Sequence, residues 1–194
     1  MSRAQATQAR ILQAATAEFA AHGLAGARVD RIAQAASANK NLIYVYFGSK
    51  EALFDAVFEA QVTQGLEAVP FTVDDLPAYA GQVHDHCRKH PEVIRLTAWH
   101  RLESAGRPEP ATSAPAYAAK LAAIEAAQRD GRVSDACPPA VLLALIVALA
   151  TADSPVGATV PPGSTTRPGR DDEIRAGIVE AVRRLIAVPW IAIS

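Results

Sequence analysis

Apolar residues recur three and four positions apart along nearly the whole chain, in stretches rich in alanine, and strand signals are nearly absent. That spacing lines up side chains on one face of a helix, and alanine is the strongest helix former, so the chain reads as all-α. Half of its 194 residues are apolar and a fifth are charged. Such a chain can bury a core without staples, and disorder of the whole is excluded.

The helical pattern resolves into about nine segments. Residues 7–22 place Ile11, Ala14, Ala15 and Phe19 on one face and stop at Gly23. Val29, Ile32, Ala33 and Ala36 mark a short second helix from near Arg28 to Ala35, and a turn follows at Ala36-Ser37-Ala38. Asn39 can cap a third helix running to Tyr46, and Ser49 a fourth over 49–64. A connector with Pro70, Asp74, Asp75 and Pro77 separates these from five further helices, about 75–89, 92–104, 114–130, 138–152 and 171–187. Gly106 and Pro108 break the chain after the sixth, Pro189 ends the ninth, and the Pro- and Gly-rich stretch 153–170 reads as a mobile loop. The division falls between residues 1–66 and 67–194.

Several function classes drop out. Nineteen Lys and Arg against twenty Asp and Glu give a formal charge of −1, so any nucleic-acid contact must come from a local patch. Residues 1–65 hold six basic and five acidic groups, which predicts modest nonspecific affinity. Cys87 and Cys137 form neither a disulfide framework nor a zinc motif, and no signal peptide is visible, so a cytoplasmic location is expected. The apolar run from Ala136 to Ala152 is short of the roughly 18–20 residues that span a bilayer, which makes it a buried helix and leaves no membrane partner. No P-loop, G-x-S-x-G, G-x-G-x-x-G or H-E-x-x-H occurs, so neither an enzyme nor a cofactor is expected.

The informative segment is 27–54, in which two short helices joined by a three-residue turn present the second as a probe, the geometry of a helix-turn-helix. Lys40, Asn41, Leu42 and Val45 can face a major groove. There Lys meets guanine acceptors or phosphate, Asn pairs with adenine, and Leu offers apolar contact to a thymine methyl. Tyr46 and Lys50, just beyond, suit phosphate oxygens.

Residues 8–62 resemble the DNA-binding domain of the TetR family of bacterial transcriptional regulators. The likeness rests on Phe19-Ala20-Ala21-His22-Gly23, then Val29-Asp30-Arg31-Ile32-Ala33, then Ile43-Tyr44-Val45-Tyr46-Phe47-Gly48-Ser49-Lys50-Glu51-Ala52-Leu53. Two positions depart from the family pattern: Ser37-Ala38-Asn39 stands where Gly-Val-Ser is usual, and Ala27 where Thr often caps the second helix. Asn39 caps as well as Ser, whereas loss of the glycine and the Thr is expected to alter the turn and one phosphate contact that Arg28 can supply.

By this resemblance residues 67–194 form an effector-binding and dimerisation domain, and the protein is a regulator, expected to be a repressor that binds a palindromic operator as a homodimer and is released by a small molecule. The helices at 138–152 and 171–187 would pair with their twofold mates through Leu142, Leu145, Ile146, Leu149, Ile178, Val182 and Leu185. The same apolar run could instead be the core of a monomer. Two probe helices must sit about 34–36 Å apart to enter successive major grooves. Tyr79, Leu96, Trp99, His100 and Tyr117 are the candidate effector contacts, since Trp and Tyr offer flat apolar walls with a polar edge.

A different reading attaches to His84, His86, Cys87 and His90, because His86 and His90 at i, i+4 could share a metal. A metal-responsive regulator is therefore the alternative. The bland account is that His90-Pro91 ends a helix and the others are surface or interface groups.

Overall fold

The computed structural model describes residues 2–103, 113–154, 156 and 170–188. Among the described residues it contains nine α-helices and no strand: α1 (Arg3–Gly26), α2 (Val29–Ala35), α3 (Lys40–Phe47), α4 (Lys50–Ala68), α5 (Leu76–Lys89), α6 (Pro91–Glu103), α7 (Ser113–Arg129), α8 (Pro139–Ala150) and α9 (Arg170–Ile186). The all-α reading and its nine segments hold. The breaks at Gly106, Pro108 and Pro189, and nearly all of the loop expected over 153–170, lie outside the described residues.

The chain divides into two compact units, Met1–Gln64 with His90–Ser113, and Gly65–Lys89 with Ala114–Ser194. The first unit is cut after Gln64, and the segment carrying α6 returns to it.

In the first unit, α1 starts at Arg3 rather than residue 7 because Ser2 and Gln5 form a capping box, each side chain satisfying the other's backbone N–H. Gly23 breaks the helical path with φ +66° and ψ −176°, and one irregular turn follows to Gly26. Ile11, Ala15 and Phe19 of α1 pack with Ile32, Ile43, Leu53, Phe54, Val57 and Phe58, and Leu96 of α6 completes this core. Phe19 and Phe54 meet edge to face at 5.1 Å. The His100 ring lies parallel to Phe58, 3.9 Å between centroids, and stacks more distantly on Phe54.

Glu103, at the end of α6, supplies what the break at Gly23 removes. Its carboxylate accepts from the backbone N–H of Leu24 at 2.5 Å and of Ala25 at 3.3 Å, donors that a continuous helix would have paired.

In the second unit, Leu76, Tyr79, Ala80, Ile124, Leu142, Leu143, Ile146, Ile178 and Val182 form a separate core. Gly81 allows α5 and α9 to approach closely, since a Cβ there would lie 3.0 Å from an Arg175 guanidinium nitrogen and 3.2 Å from Val179. Arg175 pairs with Asp85 and Arg88 with Asp171 along the same contact. Pro139 opens α8 at a position where its missing N–H costs nothing. In α9, Asp171, Asp172 and Glu173 fill the first turn and Arg183 and Arg184 the last, matching the helix dipole at both ends. Arg184 and Arg183 hydrogen-bond Glu180 and hold its carboxyl below the usual carboxylate range.

Candidate nucleic-acid interface

The helix-turn-helix is built from α2 and α3. No side chain caps α2; the backbone N–H of its N-cap residue, Arg28, donates to Glu18 of α1 at 2.9 Å, and the Arg28 side chain remains exposed. At the far end Arg10 Nε donates to the carbonyl of Ala36 at 3.2 Å, satisfying a terminal acceptor from outside the motif. The turn then places Ser37 at φ +48°, in the left-handed region where a glycine would sit without strain. Ser37 thus adopts the conformation that the family's glycine favours, at an energetic cost. Asn39 accepts from the backbone N–H of Asn41 at 2.8 Å and so starts α3 as its cap.

Ile43 is buried and fixes the roll of α3. The opposite face carries Lys40, Asn41, Tyr44 and Val45, all exposed, with Val45 at 74% and Tyr44 at 42%. Leu42 is half-buried at the margin of this face. Tyr46 lies on the inner side, half-buried and 6.5 Å edge-on from Phe47, and Lys50 Nζ donates to the carbonyl of Ala27 at 3.3 Å. Tyr44 is the residue that sequence reasoning passed over. The positions 40, 41, 44 and 45 already define one helical face, and that periodicity points to Tyr44 ahead of Tyr46.

Lys40 is not free on this face. Its ammonium contacts both carboxylate oxygens of Asp30, in the first turn of α2, at 2.8 and 3.0 Å. The hydrogen bond to Asp30 raises the Lys40 pKa, so the side chain stays charged across the physiological range.

The five candidate effector contacts are divided between the two units. Leu96, Trp99 and His100 belong to the first unit: Leu96 and His100 are buried there, and Trp99 covers Gly23. Tyr79 is buried in the second, its hydroxyl accepting from Lys120 Nζ at 2.8 Å, while Tyr117 is half exposed. Within the first unit α6 turns Leu96 and His100 onto α1 and α4.

The dimer residues divide as well. Leu142, Ile146, Ile178 and Val182 are consumed by the protomer's own core, and Leu149 and Leu185 are partly buried against it. Of the seven, Leu145 stands open at 41%, beside exposed Val141, Ala144 and Ala148. A helix apolar all round gives no periodicity from which to tell its inner face.

His84 is buried, with Nδ1 3.2 Å from the Ala150 carbonyl and 3.4 Å from Asp153. His90 lies past the end of α5, in the other unit from His86, with Nδ1 3.2 Å from Glu92. Among the described residues no group of three His, Cys, Asp or Glu side chains could hold a metal, so the metal-responsive alternative gains no support. Cys87 is pushed up to about 11 by burial, with the Asp153 charge adding to the effect.

A short helix, a four-residue connection over 36–39 and a second helix with a polar, exposed outer face, in an all-α chain, define a helix-turn-helix DNA-binding transcriptional regulator. Residues 11–57 match the family described as bacterial regulatory proteins, tetR family, and residues 75–184 match the tetracyclin repressor-like C-terminal domain. The chain belongs to the TetR family. It is 45% identical over 148 residues to the HTH-type transcriptional repressor SCO4008 of Streptomyces coelicolor, covering 75% of this chain and 77% of that one. It is 33% identical over 107 residues to the HTH-type transcriptional repressor NicS of Pseudomonas putida, covering 52% and 50%. In three dimensions it is similar to the transcriptional regulator SCO4942 of Streptomyces coelicolor, with a TM-score of 0.81, 39% identity, and 94% and 99% of the two chains covered.

Proposed function

We propose that this regulator is a cytoplasmic repressor that binds a palindromic operator as a homodimer and lets go when a small molecule occupies its second unit. The observation that carries the DNA-docking part is the outer face of α3: Lys40, Asn41, Tyr44 and Val45 are exposed while Ile43 anchors the helix from behind. Asn41 and Val45 would read base edges, Tyr44 and Arg28 would reach phosphates, and Asn39 would fix the start of the helix. Tyr46, on the inner side, and Lys50, bonded to the Ala27 carbonyl, would support phosphate contacts only from behind this face.

Two relatives carry the name of repressor, which favours repression over activation here. No helix among the described residues is long and apolar enough to cross a membrane, which is compatible with a cytoplasmic regulator. The open apolar face of α8, with Val141, Ala144, Leu145 and Ala148, is the surface through which a second copy would pair. Release then follows from population shift: an effector that binds better to a dimer with misplaced α3 helices draws the protein away from the operator, because both half-sites must be engaged at once.

The test is selection of bound sites from a random-sequence duplex pool by the full-length protein, followed by fluorescence anisotropy on the winner over a salt series. A palindromic site holding two protomers is expected. Asn41→Ala and Val45→Ala should each cost about 1–3 kcal/mol and relax preference at particular base pairs, whereas Arg28→Ala should weaken all sequences alike. Enrichment of no sequence, or variants on the outer face of α3 that bind like the parent, would remove this docking.

A further inference from the structure

The charges around the helix-turn-helix are largely spent inside the protein. Arg10 is bonded to the Ala36 carbonyl, Arg31 pairs with Glu18 at 3.0 Å, Lys50 is bonded to the Ala27 carbonyl, and Lys40 pairs with Asp30. The last of these pairs differs from the others in its position. Asp30 is 75% exposed and lies within reach of the N-terminal end of α3, the end that a helix-turn-helix presents to base edges. With α3 docked in a major groove, a carboxylate there would face the DNA phosphates and repel them. As an exposed pair between side chains ten residues apart, it adds little to stability, and it exchanges readily for another partner.

We propose that Asp30 is a specificity-determining residue of DNA binding: it holds the Lys40 ammonium as a stand-in for the duplex and releases it only where a well-placed base acceptor competes. This rests on the docking of α3 into the major groove. On random sequence Lys40 stays with Asp30 and contributes no phosphate contact, so indiscriminate binding is suppressed. On the operator Lys40 turns to a base acceptor, with the O6 and N7 atoms of guanine the chemistry that suits an ammonium. Asp30 is thus a positioning group that acts through Lys40.

The decisive variant is Asp30→Asn, which keeps size and polarity and removes the charge. Full-length protein is titrated onto a random-sequence 30-base-pair duplex and onto the site selected by the parent, each over a salt series. One further phosphate contact changes the slope of log K against log salt by about −0.9 and is worth about eightfold at 0.1 M relative to 1 M salt. Asp30→Asn is therefore expected to tighten random-duplex binding by about eightfold per protomer, steepen its slope by about 0.9, and lower the ratio of selected to random affinity. Lys40→Met, which leaves the Asp30 carboxylate without its cation, should weaken random-duplex binding and weaken the selected site by more. In the double variant the gain on random DNA should vanish.

Asp30 also sits in the first turn of α2 and favours that helix through its dipole. A role confined to that would lower Tm in Asp30→Asn without steepening the salt slope, and would overturn the proposal. So would a gain that persists in the double variant, or equal tightening of both duplexes. A parent that selects no site removes the α3 docking itself, whereas a selective parent with an unchanged Asp30→Asn removes only the role of Asp30.

Discussion

Gly23→Ala is expected to destabilise the first unit by about 2–6 kcal/mol, from two separable causes. Gly23 has φ +66° and ψ −176°, a backbone region occupied almost only by glycine, and holding alanine there costs about 1–3 kcal/mol. A Cβ would also lie 2.8 Å from two ring carbons of Trp99 and 3.0 Å from a Glu103 carboxylate oxygen. The indole is rigid and already packed, so this overlap adds about 1–3 kcal/mol in displaced side chains. If Glu103 yields instead, the N–H groups of Leu24 and Ala25 lose their acceptor. Gly48→Ala separates the causes, because Gly48 has φ +82° but nothing within 4 Å of a Cβ, leaving the backbone cost alone. Urea unfolding followed by Trp99 fluorescence, in a Trp190→Phe background, reports on the first unit. Gly23→Ala should lose clearly more than Gly48→Ala, and Trp99→Leu, which removes the fluorophore and is followed by helical circular dichroism instead, should recover part of the difference. Equal losses at the two glycines would refute the argument from contact.

Ser37→Gly is expected to stabilise by up to about 1.6 kcal/mol, read as a raised urea midpoint: relief of a left-handed residue is worth about 1–2 kcal/mol, and the extra freedom of unfolded glycine returns about 0.4–1 of it. On α8, Leu145→Asp should preserve the helical circular dichroism and halve the mass in sedimentation, whereas Leu142→Ala should cost about 2–5 kcal/mol of stability. Cys87, with its pKa raised from 9.0 to about 11, should be alkylated at pH 8 about a hundredfold more slowly than an unstructured peptide thiol, and its rate should keep rising up to pH 11.

Local chemistry was legible and long-range choice was not. The Asn39 cap, the Ser49 cap and the break at Gly23 follow from residue types next to one another, and each is found in place. The Lys40–Asp30 pair and the Arg10 bond to Ala36 join separate helices, and no spacing rule reports them. On α8, Leu142 and Leu145 are the same residue in the same run, yet one is core and the other surface, since only the neighbours of α8 decide its roll. For α6 the residues Leu96, Trp99 and His100 announced an apolar face without saying what would cover it.

The return of His90–Ser113 to the first unit has a consequence for anyone who recombines this protein with others. A graft at residue 66 would look natural from the chain order, yet it would leave behind Leu96, the Trp99 cover on Gly23 and the Glu103 acceptor. A hybrid sensor that keeps this operator preference therefore has to inherit α6 from the same parent as α1 to α4. The same linkage means that exchange of sensing modules between genes is constrained to breakpoints on both sides of α6, and a single crossover would deliver a reader whose first helix ends without its partner.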